Sequence, residues 1–220
     1  MSGCSGPIET ESPVRATAPV RSELEAPPAV AVDQDAPLLV AFGDSLTAGY
    51  GLAPEESYPS VLARLLVERG FEVRVANEGV SGDTTASALA RFEAVRSRNP
   101  KWVVLALGAN DGLRGLSLEA MEQNLRTIAQ GFRDGGAQVV VAGMKLPPNY
   151  GPEYVGDFEA IYPRLAEDLG LPLIPFLLDG VAAEQGLNQS DGIHPTAEGA
   201  AVVAGLVADA VEPLLRADSE

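Results

Sequence analysis

Cysteine and histidine are almost absent from this chain of 220 residues, which contains one of each, Cys4 and His194. A structural zinc site built from Cys and His, or a metal site built on several histidines, therefore lacks its ligands. An intramolecular disulfide is excluded as well. Any reaction that needs an imidazole near neutral pH must use His194.

Basic residues and long hydrophobic runs are also scarce. Fifteen Lys and Arg stand against 31 Asp and Glu, so the formal net charge is −16 and no basic cluster is present. A surface that neutralises phosphates is not expected, which argues against a nucleic-acid partner or a polyanionic substrate. No apolar run reaches the roughly 18 residues of a membrane-spanning helix. The 46% hydrophobic content is enough for one buried core.

The first 36 residues are predicted to form a disordered tail rich in Pro, Ala, Glu and Ser, which suits a tether. Small residues before Cys4 resemble the end of a bacterial lipoprotein signal. Lipidation of Cys4 would tether the protein to a membrane in the periplasm or cell envelope. If the Ser-Gly-Cys sequence is incidental, a cytoplasmic protein is the alternative. The folded domain is expected over residues 37–220, as a monomer.

Short apolar runs alternate with segments of helical period from residue 37 onward, a pattern that predicts a parallel sheet covered on both faces. The runs cover residues 38–42, 71–76, 102–107, 139–142 and 173–176. Three amphipathic stripes lie between them, and a closing helix is expected over residues 195–215. The sequence therefore predicts a three-layer α/β/α, doubly wound, flavodoxin-like fold with five parallel strands. Ligands in such folds bind beyond the carboxyl ends of the strands.

A serine and an Asp-x-x-His pair carry the chemistry. Ser45 follows the first predicted strand, and Asp191 lies three residues before His194 on a turn into the last helix. A serine hydroxyl becomes a nucleophile when a base takes its proton and a third group orients that base. Each element alone is more often explained by helix capping. Together they indicate a nucleophile, a base and its orienting carboxylate.

Two further loops could supply hydrogen-bond donors for an oxyanion. Gly82, after the second predicted strand, could present a backbone N–H, and Asn110, after the third, could offer its side-chain amide. Glycine and asparagine are also ordinary turn residues. Both loops, however, fall on the same predicted edge of the sheet as Ser45 and His194, which favours a shared site.

Four sequence blocks resemble the SGNH or GDSL hydrolase superfamily, in its chain order. They are Gly-Asp-Ser-Leu at Ser45, Gly82, Gly-Ala-Asn-Asp at Asn110 and Asp-Gly-Ile-His-Pro at His194. The resemblance covers residues 38 to about 216, and residues 43–52, 109–115 and 146–151 are most similar to bacterial acyl-CoA thioesterase I, lysophospholipase and arylesterase proteins. Ala109 departs from the glycine that many relatives carry there.

The resemblance implies a catalytic triad of Ser45, Asp191 and His194 and no cofactor. It also implies an oxyanion hole made of the N–H groups of Ser45 and Gly82 and the side chain of Asn110. The expected substrate is a small acyl ester or thioester, and apolar residues are expected to bind it: Leu113, Leu146, Pro147, Pro148, Tyr150 and Ile193. A carbohydrate O-deacetylase of the same superfamily and a non-catalytic flavodoxin-like binding module remain alternatives.

Overall fold

The computed structural model describes residue 1 and residues 33–219. Residues 2–32 of the predicted tail, with the predicted lipidation site Cys4, lie outside the described residues, and the domain boundary at residue 37 stays a prediction. Five strands form the sheet: β1 (Leu38–Gly43), β2 (Arg74–Gly79), β3 (Trp102–Ala106), β4 (Gln138–Ala142) and β5 (Leu173–Ile174). All pair in parallel, in the order β2-β1-β3-β4-β5. The predicted doubly wound, flavodoxin-like fold is confirmed.

Within residues 33–219, seven α-helices connect and cover the strands. They are α1 (Ser45–Ala48), α2 (Tyr58–Glu68), α3 (Thr85–Arg96), α4 (Ala109–Leu113), α5 (Leu118–Asp134), α6 (Pro152–Leu169) and α7 (Ala197–Ser219). Short 3-10 helices occur at Pro54–Glu56 and Pro148–Tyr150. Helix α2 packs with α7, and α5 packs with both α3 and α6. These two groups form the outer layers, and β1 and β3 between them are buried along their whole length.

Two strand predictions were wrong at their bounds. The second strand was expected at residues 71–76, but pairing with β1 places it at Arg74–Gly79, where it carries the polar residues Asn77 and Glu78. Strand β2 lies at the edge of the sheet and is half exposed, so its sequence includes polar residues and an apolar run does not mark its bounds. The fifth was expected at residues 173–176 and ends at Ile174, because Pro175 has no N–H to donate to the ladder.

The closing helix also differs from its prediction. Pro195 was expected at its first position, but it lies before the helix and forms an isolated bridge with Asn188. The helix begins at Ala197 and continues past residue 215 to Ser219. Within residues 33–219, none of the helices combines the length and apolar character that a bilayer crossing requires.

Candidate active site

The serine loop is formed where β1 ends and α1 begins. The Asp44 carboxylate caps α1 by accepting the Leu46 N–H at 3.0 Å. The helix ends at Ala48 and is followed by the C-cap Gly49, whose φ is 76°. Gly43 has no room for a side chain, since a Cβ there would lie 2.0 Å from Oγ1 of Thr47. This close packing places Ser45 at the carboxyl edge of the sheet.

The histidine loop lies directly before α7 and is shaped by the Asp191 carboxylate. Its Oδ1 accepts the backbone N–H groups of Ile193 at 2.9 Å and His194 at 3.0 Å. Its Oδ2 lies 2.7 Å from Nδ1 of His194. Asp191 side-chain exposure is 38% and that of His194 is 17%, so the imidazole is the more enclosed of the two groups.

The catalytic side chains of the two loops are joined by a hydrogen bond. Nε2 of His194 lies 2.9 Å from Oγ of Ser45, across 149 positions of sequence. The hydroxyl, the imidazole and the carboxylate therefore form a continuous chain of hydrogen bonds, as the sequence motif requires. The bond from His194, followed by the two backbone N–H bonds, lowers the pKa of Asp191 to about 2, so this carboxyl is ionised at neutral pH.

The two expected oxyanion loops lie beside this chain. Gly82 and Asn110 line the same pocket as Ser45 and His194, and Gly82 has a φ of 84°, which favours glycine. Asn110 lies in the first turn of α4, which follows β3. Arg114 joins the loops: its guanidinium donates to the Gly82 carbonyl at 2.9 Å and to Oδ1 of Asn110 at 3.5 Å.

A buried contact supports the Asn110 turn from below. Asp111, which is 3% exposed, accepts the N–H of Thr85 at 2.8 Å and its hydroxyl at 2.7 Å. Thr85 is the first residue of α3. The turn that carries Asn110 is therefore tied to the helix that follows the Gly82 loop.

A pocket of about 660 Å³ opens at the triad. Five of the six expected substrate-binding residues line it: Leu113, Leu146, Pro147, Pro148 and Ile193. The sixth, Tyr150, is not among the lining residues; its hydroxyl donates to the Leu113 carbonyl at 2.9 Å and its ring stacks on Tyr154. Tyr150 therefore supports the pocket wall from outside.

Sequence reasoning missed several residues that shape this site. The Tyr50 ring lies 4.6 Å from the His194 ring, between centroids, and covers one face of the imidazole. Met144, Phe176 and Leu178 add apolar surface to the pocket. Tyr50 belongs to the similar segment at residues 43–52, so the resemblance could have indicated it, whereas the other three follow from the tertiary fold alone.

Gln189 was also missed, and it connects the two catalytic loops. Its side-chain amide donates to the Tyr50 carbonyl at 2.7 Å and to the Pro195 carbonyl at 2.9 Å. Its backbone N–H donates to the His194 carbonyl at 2.7 Å. One side chain therefore bridges the serine loop and the histidine loop.

Replacing Gln189 with leucine should lower kcat by about 10- to 100-fold, because a small misplacement of reacting groups is costly. Leucine keeps the approximate volume and removes both donors. Steady-state kinetics on a p-nitrophenyl ester would measure the effect. Gln130→Leu, on α5 and away from the site, is the matched control. An unchanged kcat in the Gln189 variant would show that the loops hold their distance without this bridge.

The described residues contain no group of three or more His, Cys, Asp or Glu side chains arranged to hold a metal ion.

Several known proteins are similar to this chain. Residues 41–202 match the GDSL-like Lipase/Acylhydrolase family. Esterase TesA of Pseudomonas aeruginosa is 43% identical over 71% of this chain and 79% of its own length. The arylesterase of Vibrio mimicus is 41% identical over 81% of this chain and 90% of its own length.

A multifunctional enzyme and a solved structure are also similar. The thioesterase 1/protease 1/lysophospholipase L1 of Escherichia coli K12 is 37% identical over 82% of this chain and 86% of its own length. The crystal structure of TesA superimposes with a TM-score of 0.78 at 40% identity, covering 80% of this chain and 99% of that chain.

Proposed function

This chain belongs to the GDSL-like lipase/acylhydrolase family and is a serine esterase, and from this premise we propose the role of each residue in the site. Ser45 is the nucleophile, His194 the general base and acid, and Asp191 the group that orients the imidazole. The observation that carries this proposal is the 2.9 Å contact between Nε2 of His194 and Oγ of Ser45 at the mouth of an apolar pocket.

Catalysis proceeds in two halves through an acyl-enzyme. Ser45 Oγ attacks the carbonyl carbon of the ester while its proton passes to Nε2 of His194. The tetrahedral intermediate collapses as the imidazolium returns that proton to the departing alcohol or thiol, and the acyl group stays on Ser45. Water then repeats the attack with His194 as base, releases the carboxylic acid and restores the hydroxyl.

The oxyanion of each tetrahedral intermediate accepts hydrogen bonds from the N–H groups of Ser45 and Gly82 and from the Asn110 amide. Such donors stabilise the transition state by roughly 3–4 kcal/mol each when they are held in place beforehand. The Arg114 guanidinium anchors both the Gly82 carbonyl and Oδ1 of Asn110, so these two donors have little freedom to move.

The preferred substrates are aryl esters with short to medium acyl chains. Most side chains that line the pocket are apolar, and its volume of about 660 Å³ is ample for such an ester. Acyl-CoA thioesters and lysophospholipids are the expected second activities. This assignment is supported by the names of the arylesterase and thioesterase relatives.

A substrate profile tests this assignment. The rates on p-nitrophenyl esters from acetate to palmitate should be compared with those on palmitoyl-CoA and a lysophosphatidylcholine. We expect the highest kcat/KM among the short to medium p-nitrophenyl esters. A clear preference for acetylated glycans over every longer acyl ester would instead support a carbohydrate O-deacetylase.

Filling the pocket should change the chain-length preference without removing the chemistry. Ala182 lines the pocket, and its replacement by tryptophan is expected to lower kcat/KM for octanoate and longer esters at least about tenfold. Activity on the acetate ester should stay within about threefold of the unmodified protein. Ala201→Trp, on the exposed face of α7, is the control. Equal losses on acetate and octanoate would mean that the acyl chain binds elsewhere.

We also propose that the protein acts in the cell envelope, tethered through a lipidated Cys4. The composition of residues 5–36 and the small residues before Cys4 support this location. Mass spectrometry of the N-terminal region of the protein from its native cells tests it, because an acylated Cys4 is the expected result and an unmodified thiol contradicts it.

A further inference from the structure

We propose that Asp44 is a positioning residue for ester hydrolysis, whose carboxylate holds the Asn110 amide with an N–H group directed at the oxyanion. Asp44 is 1% exposed and lies next to the nucleophile. Its Oδ2 accepts the Nδ2 group of Asn110 at 3.3 Å, while its Oδ1 caps α1. The inference rests on the proposed function, since it concerns the donor set of the same reaction.

A carboxylate can enforce one orientation of a neighbouring amide. It has only acceptor atoms, so the NH₂ end of Asn110 must face Asp44 and the oxygen end must face away. On the other side of the amide, the Arg114 guanidinium has only donors and faces Oδ1 at 3.5 Å. Asn110 is therefore held between an obligate acceptor and an obligate donor, and the unused N–H of its NH₂ group remains for substrate.

Helix capping alone does not explain a carboxylate at this position. Asparagine and serine cap helices about as well as aspartate. Burial raises the pKa of the Asp44 carboxyl to about 6. The hydrogen bonds from Leu46 and Asn110 and the electrostatic effect of His194 lower this pKa, but burial outweighs them. The ionised group is thus disfavoured by its surroundings and destabilises the fold. Such a cost is typical of functional sites.

Several titratable groups surround Asp44. Each of them interacts electrostatically with Asp44. They are His194 before α7, Asp83 on the β2–α3 loop, Tyr58 of α2 and Tyr162 of α6. Asp83 is itself paired with Arg91 at 2.7 Å. For this reason, an activity–pH profile alone does not isolate Asp44, and variants are needed.

Asp44→Asn is the informative variant. The asparagine oxygen can still cap α1, but its NH₂ group then faces the NH₂ group of Asn110, and the two donors repel. We expect Asn110 to turn its oxygen towards position 44, which removes the oxyanion donor. The kcat on a p-nitrophenyl ester should fall about 10- to 100-fold, with KM changed less than about threefold. Asn110→Ala should lower kcat by about 10²- to 10³-fold.

The double variant separates positioning from other roles. If Asp44 acts through Asn110, Asp44→Asn combined with Asn110→Ala should be no slower than Asn110→Ala alone, within about twofold. Losses that multiply would overturn the proposal, because Asp44 would then act on His194 or on the loop directly. An unchanged kcat in Asp44→Asn, beside a slow Asn110→Ala, would overturn it as well. A Ser45→Ala variant that stays active would instead refute the proposed function.

Thermal unfolding tests whether Asp44→Asn loses activity only because its structure is damaged. The folded-state pKa of Asp44 lies above its unfolded value, so ionisation favours the unfolded chain: the penalty is absent below pH 4, grows up to about pH 6 and is complete above it. Asp44→Asn should therefore not lower the Tm at pH 8, and its effect on the Tm should be more favourable at pH 8 than at pH 4. A lower Tm at pH 8 would assign the lost activity to damaged structure and overturn the proposal.

Discussion

Replacing Ser45 with alanine should reduce kcat by on the order of 10⁶-fold, because nothing else at the site can form the acyl-enzyme. The fold should be unaffected. The side-chain cap of α1 comes from Asp44, and the carbonyl of Ser45, which alanine retains, accepts the N–H groups of Gly49 and Tyr50. Circular dichroism and thermal unfolding of the variant should match those of the unmodified protein, while p-nitrophenyl ester hydrolysis falls to the background rate.

Fluorophosphonate labelling adds an independent measurement to this prediction. The reagent reacts with an activated serine, so the unmodified protein should gain one label and Ser45→Ala none. Ser97→Ala, at the exposed C-terminal end of α3, is the matched control and should keep both labelling and turnover. A Ser45→Ala protein that retained most of its esterase rate would refute the assignment of the nucleophile.

The positions of most strands along the chain were predictable because buried strands and amphipathic helices leave distinct patterns. Four of the five apolar runs overlap their strands closely or fully, and Gly70, Gly136 and Gly170 have the positive φ angles expected where helices end. Helix α3 was harder to recognise. Its buried face begins with Thr85 and Ala88, and only Phe92 and Val95 are large and apolar, so its sequence has no clear apolar stripe.

The residues of the site were predictable where they belong to short sequence motifs. Ser45, Asp191 and His194 have short-range signatures, and the fold only has to place two loops at one edge of the sheet. Gln189 has no such signature, since its role depends on where the Tyr50 and Pro195 carbonyls lie in the folded chain. Tyr150 was assigned to the pocket lining because it is aromatic and near in sequence, but its hydroxyl is held by the Leu113 carbonyl.

Two aspartates at this site are predicted to act in opposite electrostatic conditions. Asp44 is buried, so desolvation raises its pKa to about 6, whereas Asp191 is more than a third exposed and hydrogen bonds lower its pKa to about 2. Both aspartates fix the orientation of a neighbouring side chain, Asn110 for one and His194 for the other. Of the two, only Asp191 is hydrogen-bonded to the side chain that exchanges a proton with substrate. Removing the Asp191 carboxylate should therefore lower kcat more than removing the Asp44 carboxylate.

Asp191→Asn should therefore lower kcat by about 10⁴-fold, the scale of the equivalent change in a serine protease triad. The asparagine oxygen can still accept hydrogen bonds from the backbone N–H groups of Ile193 and His194, so the loop should hold its shape. Its NH₂ group would then donate to Nδ1 of His194, which forces the ring proton onto Nε2. That nitrogen would face Ser45 with a proton already in place and could not accept another.

The pKa of Asp191, lowered to about 2 by its hydrogen bonds, keeps the carboxylate ionised throughout pH 5 to 9, so titration of Asp191 itself should not contribute to the kcat–pH profile in that range. A kcat–pH series from pH 5 to 9 on one p-nitrophenyl ester checks this, with Asp179→Asn as a control carboxylate outside the triad and the pocket lining. An Asp191→Asn enzyme within about tenfold of the unmodified rate would show that another group, with Gln189 and Tyr50 the nearest candidates, orients the imidazole.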